Sequence, residues 1–189
     1  RGCVMAEQKR LWERGGTKGT VVQAPVEEGK KAETPQVYTL QVFLTDGPIT
    51  KALAGKEISR TIQIRGDQTL KALHQVIFEA FDREEEHLHE FNFGKGPYDR
   101  DGPRYTLASN TKDFMTDEVT AGDVAKTTLD SLGLEVGRSF GYWFDFGDDW
   151  RHEIRVQRIE AAPPRGRFPK VIARVGESPP QYADPEKLE

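Results

Sequence analysis

The sequence predicts an α+β fold: a mostly antiparallel sheet with one main helix packed on one face, in a grasp-like arrangement. Three observations carry this. Val37 to Leu44 and Lys56 to Arg65 are rich in β-branched residues and place apolar side chains at alternate positions. Leu70, Leu73, Ile77 and Phe81 recur at helical spacing. Phe140 to Glu160, FGYWFDFGDDWRHEIRVQRIE, reads as two alternating strands about a tight turn at Gly147-Asp148-Asp149.

The first two strands are joined through Asp46-Gly47-Pro48 and should pair antiparallel, with Ile58, Ile62 and Ile64 on one face of the second. Asp67 or Thr69 can cap the helix, and His74 belongs to its apolar face. After the acidic run Glu84-Glu85-Glu86, the stretch HLHEFNF reads as a strand with His87, His89, Phe91 and Phe93 on one side. Residues 94–122 are rich in Gly, Pro, Asp and Thr, an uncommonly long connection for a compact domain. A short helix from Thr120 or Asp123 would carry Val124, Leu129 and Leu132 and stop near Gly133.

In the hairpin, a three-residue turn sets Phe146 against Trp150, Phe144 against His152, Tyr142 against Ile154 and Phe140 against Val156. The opposite face then holds Asp145 against Arg151 and Trp143 against Glu153. A slip of one residue would turn the aromatics outward, so the register is strongly specified.

At 189 residues the chain is long enough for one domain with extensions. Its charged fraction of 31% and hydrophobic fraction of 36% concentrate the core between Val37 and Val156. Residues 1–35 therefore read as an N-terminal extension or linker and 36–160 as the core domain. Residues 161–189 read as a Pro-rich C-terminal tail, packing on or extending from the core, with six of the eleven prolines and a strand at Lys170 to Val175. A net charge of −4 gives no general attraction to nucleic acid or anionic lipid. The single cysteine, Cys3, and the lack of an apolar run of membrane-spanning length fit a soluble cytoplasmic protein with no membrane partner.

All four histidines fall on faces that also carry apolar residues. If the helix lies across the sheet, His74, His87 and His152 can converge. With Asp148 nearby, they would offer ligands for a divalent transition metal or a site for proton transfer. The competing reading makes each ring a core residue satisfied by a carbonyl or carboxylate, and gives Asp148 the ordinary role of an Asp in a turn. No nucleophile arrangement or complete phosphate-binding loop is present, and no cofactor is established by any motif. Trp143, Arg151 and Arg155 form an outward-facing group that a partner can use.

The stretches TLKALHQVIFEAFDREEEHLHEFNFG, TTLDSLGLEVGRSFGYWFDFGDDWRHEI and FPKVIARVGESPPQY resemble the plasmid Ri open-reading-frame-three-like family, whose members are also labelled insertion-element passenger or TnpR-like proteins. The resemblance covers about Pro35 to Tyr182. It implies a compact α+β domain, found on mobile elements and chromosomes, without an established activity. The pattern positions retained are His74, His87, Phe91, Asp145, Gly147, Asp148, Trp150 and His152. His89 stands where other members often carry an aromatic, which takes it out of a shared site. Asp82-Arg83 fills a stretch where many members have Trp.

Together these observations lead to a mobile-element-associated binding or adaptor module, contacting protein or nucleic acid through Trp143, Arg151 and Arg155. The alternative is a metal-dependent hydrolase or nuclease built on His74, His87, His152 and Asp148.

Overall fold

The computed structural model describes residues 35–97, 99, 101–107 and 121–182. The N-terminal extension expected over 1–35 lies outside them except for its last residue, as do residues 183–189 and much of the long connection after β3. Within the described residues, one sheet of eight strands carries one α-helix, α1, at Leu70–Ala80. The strands are β1 (Gln36–Asp46), β2 (Ser59–Arg65), β3 (His89–Asn92), β4 (Arg104–Thr106), β5 (Gly122–Asp123), β6 (Ser139–Phe144), β7 (Trp150–Ala161) and β8 (Lys170–Val175). Their spatial order is β5-β4-β3-β6-β7-β1-β2-β8, antiparallel at every pairing except β4 with β5. None of the described helices is long and apolar enough to cross a membrane.

Alternation builds the core. Leu40 and Val42 on β1, Ile62 and Ile64 on β2, Phe140, Tyr142 and Phe144 on β6, and Trp150, Ile154 and Val156 on β7 all turn to one face. Thr69 caps α1 by accepting from the Ala72 N–H, and Leu70, Leu73, Val76, Ile77 and Ala80 close over that face. Among the described residues the opposite face of the sheet carries no helix.

Several expectations change. The chain bends at Gly47-Pro48, as expected, and the link between the antiparallel β1 and β2 runs on from Gly47 to Ile58, with β2 beginning at Ser59 rather than Lys56. Gly47, at φ 144°, lies flat against Trp150, where a Cβ would stand 2.4 Å from the indole. The helix expected near Asp123 is instead the short strand β5 followed by a single 3₁₀ turn at Asp130–Leu132, which Gly133 ends at φ 60°. The tail strand does form: β8 joins the sheet beside β2.

The hairpin register moves by two residues. Phe144 faces Trp150, Tyr142 faces His152 and Phe140 faces Ile154, while Trp143 faces Arg151 and Gly141 faces Glu153. Asp145 and Asp149 both adopt left-handed φ, 54° and 58°, which opens the turn to residues 145–149. Asp145 Oδ1 accepts from the Gly147 and Asp148 N–H groups, holding that wider loop. Because the shift is even, every side chain keeps its predicted face except those drawn into the loop. Phe146 is one of these, so it leaves the core and packs on Trp143 with ring centroids 4.3 Å apart.

Candidate functional site: a buried imidazole cluster under the α1 exit

Helix α1 lies on the core face of the sheet, and His74 on its apolar side reaches His89 of β3 and Tyr142 of β6. Its Nε2 lies 2.9 Å from Glu86 Oε2 and its Nδ1 2.8 Å from the Tyr142 hydroxyl. A carboxylate only accepts, so Nε2 carries the proton and Nδ1 accepts from the Tyr142 O–H. Burial, with the Lys71 charge adding to it, pushes the His74 pKa down to about 4. Desolvation thus outweighs the carboxylate, and the contact is a hydrogen bond from a neutral ring rather than an ion pair. Tyr142 is itself buried, and its pKa is raised, first by desolvation and then by Glu86.

Two further imidazoles join this chain. His89 stacks on His74 with centroids 3.6 Å apart and planes within 5°. His152 sits 5.2 Å from the Tyr142 ring on its other side. Burial brings both pKa values down to about 3, helped by the His74 ring for His89 and by the Arg83 charge for His152. Among the described residues neither ring completes a hydrogen bond at either nitrogen, although the His87 backbone approaches His89 and the Tyr142 and Trp150 backbone approaches His152.

The sheet end is closed by the chain that leaves α1. Asp82 takes a left-handed φ of 53°, which turns Arg83 back inward, and the Arg83 guanidinium lies 3.6 Å over the Trp150 ring. Residues 178–182 strap this exit down. Gln181 Oε1 accepts from the Glu84 and Glu85 N–H groups, its Nε2 donates to the Glu85 carbonyl, and Ser178 donates to Asp82.

The residues expected from sequence divide as follows. His74, His152 and Trp150 come together in the buried cluster. His87 stands at its rim, half-exposed, bound through Nε2 to the Tyr182 hydroxyl at 2.9 Å and facing Asp145 Oδ2 at 3.5 Å. Its ring is separated from His74 by Phe144, which lies about 6 Å from each. Asp148 remains in the turn, half-buried, with its N–H on Asp145. Among the described residues no three His, Cys, Asp or Glu side chains are grouped to hold a metal ion. His74, His87 and His152 therefore do not make the metal shell expected from sequence, because Glu86 and Tyr142 occupy His74 and Tyr182 occupies His87. Trp143, Arg151 and Arg155 do sit on the other face of the sheet.

Sequence reasoning missed Tyr142, Glu86, Arg83 and His89 as members of the cluster. Tyr142 looks like one more core aromatic, Glu86 like part of a solvated acidic run, and Arg83 like a substitute for a surface aromatic. Only the shared side of His87 and His89 on one strand signalled the position of His89. A separate groove of about 390 Å³, lined by Phe93, Tyr105, Leu132, Leu134 and Val136 among others, does not reach the imidazoles.

A family model of plasmid pRiA4b ORF-3-like proteins matches residues 37–184, a span that includes α1 and its exit, the hairpin and the strap. The chain belongs to the plasmid pRiA4b ORF-3-like family. Among solved structures, the ORF-3-like chain is similar to the crystal structure of MM3350, a protein of unknown function from Methanosarcina mazei Go1. The TM-score is 0.60 at 22% identity, covering 78% of this chain and 74% of that one. That likeness concerns the fold. Comparison with curated proteins found no match.

Proposed function

We propose that this ORF-3-like protein is a non-catalytic binding module whose partner, another protein, docks on the helix-free face of the sheet around Trp143. The observation that carries the reading is the ledge formed there. Trp143 packs on Phe146, the Arg151 guanidinium lies 4.8 Å over the indole, and Arg155 lies 5.5 Å over Phe43. Strand register puts Glu90, Trp143 and Arg151 in one row across the face, Gly141, Glu153 and Phe43 in the next, and Ser139, Arg155 and Gln41 in the one after.

Charge favours protein over nucleic acid as the partner. Arg151 pairs with Asp149 at 2.9 Å, Arg155 with Glu153 at 2.9 Å, Arg158 with Glu160 at 3.6 Å and Arg104 with Glu90 at 3.7 Å. A phosphate backbone is drawn by uncompensated positive charge, which these pairs remove. What the face offers is aromatic and guanidinium area, the composition of protein hot spots. The plasmid label of the family supports placing the partner among proteins of mobile elements.

The test is a photo-crosslinking residue at Gln41, on this face, or at Lys71, exposed on α1, in cells carrying the native host background. A discrete protein adduct is expected from position 41 and not from 71. Its affinity, measured with purified components, should fall roughly thirtyfold in Trp143→Ala, since hot-spot truncations cost about 2 kcal/mol. Trp143 lies outside the core cluster, so this variant keeps its fold. The absence of an adduct would overturn the reading. So would salt-sensitive binding of single-stranded or duplex nucleic acid, which would hand the face to a different partner class.

A further inference from the structure

The buried cluster holds a feature that packing does not account for. Arg83, Trp150 and His152 are all nearly sealed from solvent, and all keep polar atoms without partners among the described residues. For Arg83 these atoms are Nε and Nη2, while Nη1 reaches the Pro179 carbonyl at 3.4 Å. For Trp150 it is the indole N–H, and for His152 both ring nitrogens, which the Tyr142 and Trp150 backbone groups approach without completing a hydrogen bond. Buried donors are ordinarily satisfied, and those on a charged group most stringently.

The pattern of what is unmet is specific. Nε and Nη2 lie on one edge of the guanidinium, where two parallel N–H bonds match the two oxygens of a carboxylate or phosphate. The Trp150 ring covers the guanidinium plane at 3.6 Å, and the Pro179 contact takes the far nitrogen, so that edge is left over in a fixed orientation. Trp150 and His152 alternate on the same buried face of β7, which adds neutral donors beside the charged one.

The charge also needs an answer. Burial lowers the Arg83 pKa to about 10, which leaves it cationic at neutral pH. Asp145 and Asp148 act on it only through space. Asp145 has its Oδ1 committed to the turn N–H groups, and its Oδ2 faces His87. A neutral water would satisfy a donor without balancing the cation.

We propose that the Nε/Nη2 edge of Arg83, with the Trp150 indole N–H and His152 beside it, is a binding site for a small oxyanion. The site is separate from the Trp143 face, on the other side of the sheet, and it is closed by the strap at 178–182. Ligand exchange therefore requires movement of that strap, whose anchors are the Gln181 and Ser178 hydrogen bonds.

The probes are inorganic phosphate and acetate, each titrated into the purified full chain against chloride at matched ionic strength, with thermal midpoint and calorimetric heat as readouts. A saturable, ion-specific rise with phosphate or acetate is expected. A preference for phosphate points to a phosphorylated ligand, and one for acetate to a carboxylate. Arg83→Lys, which cannot form the two-toothed contact, should weaken the apparent affinity roughly tenfold or more. Trp150→Phe keeps a ring over the guanidinium and removes only the N–H, so it should fold and bind more weakly than the parent. No ion-specific rise in the parent would overturn the proposal. An unchanged rise in Trp150→Phe together with Arg83→Lys would do the same, as would high-resolution density in either buffer showing only water along that edge.

Discussion

Acidification from pH 7 to pH 5 is expected to remove about 6 kcal/mol of conformational stability, through three imidazoles that fold buried and neutral. His74, His89 and His152 have folded pKa values of about 4, about 3 and about 3, against the ordinary imidazole value of 6.5. At pH well above 6.5 the rings are neutral in both states and this contribution is fully present. As pH falls toward the folded values, the unfolded chain binds three protons that the native state refuses, so the equilibrium moves to the unfolded side. Each ring accounts for about 2 kcal/mol by pH 5, and the sum is comparable to the whole stability of an ordinary domain. Urea titrations at pH 7, 6 and 5 would measure it. His89→Phe, which removes one of the three protons, should shrink the drop by about 2 kcal/mol. A stability that is flat over this range would contradict the burial of neutral rings.

Replacement of Arg60 by Met should cost about 3 kcal/mol or more, because the side chain donates to several acceptors at once, sharing only the Ala80 carbonyl with Arg174. Arg60 is buried on the core side of β2. Its Nε donates to the Ala80 carbonyl at the end of α1, its Nη1 to the Ser59, Val175 and Gly176 carbonyls, and its Nη2 to Ser178 Oγ. It thus ties the helix exit, the end of β8 and the start of the strap to one point, with its charge at the negative end of the helix dipole. Removing it frees the strap as well as weakening the fold. Amide exchange at residues 175–181 should accelerate more than the global stability loss explains. A loss below about 1 kcal/mol would mean the acceptors find water instead.

The elements with clean periodicity could be read from the chain. Ile58, Ile62 and Ile64, the Leu70 to Phe81 spacing, and the Phe140-Tyr142-Phe144 alternation each specify a face, and each face is the one observed. What resisted reading depends on local conformational choices with little energy between them. Asp145 and Asp149 entering left-handed φ widened the turn and expelled Phe146, while the apolar residues near Asp123 are packed by turns and a short strand rather than a helix.

The site divides along the same line. His74 and His152 announce themselves as imidazoles on apolar faces. The groups that define their chemistry come from elsewhere: Glu86 from a run that looks solvated, Arg83 from the turn after α1, and Gln181 and Tyr182 from a Pro-rich tail. No spacing in the sequence relates a tail glutamine to the backbone of Glu84 and Glu85. The hydrogen bonds that seal the cluster exist only once β8 has joined the sheet and carried that tail back over the helix exit.

The most direct measurement is an ¹⁵N titration of the four histidine rings by NMR. At pH 7, His74 should show the neutral tautomer protonated at Nε2, with His74, His89 and His152 staying neutral to the edge of acid unfolding. A cationic His74 at pH 7, or one protonated at Nδ1 instead, would contradict the chain of bonds from Glu86 through His74 to Tyr142 on which the buried cluster rests.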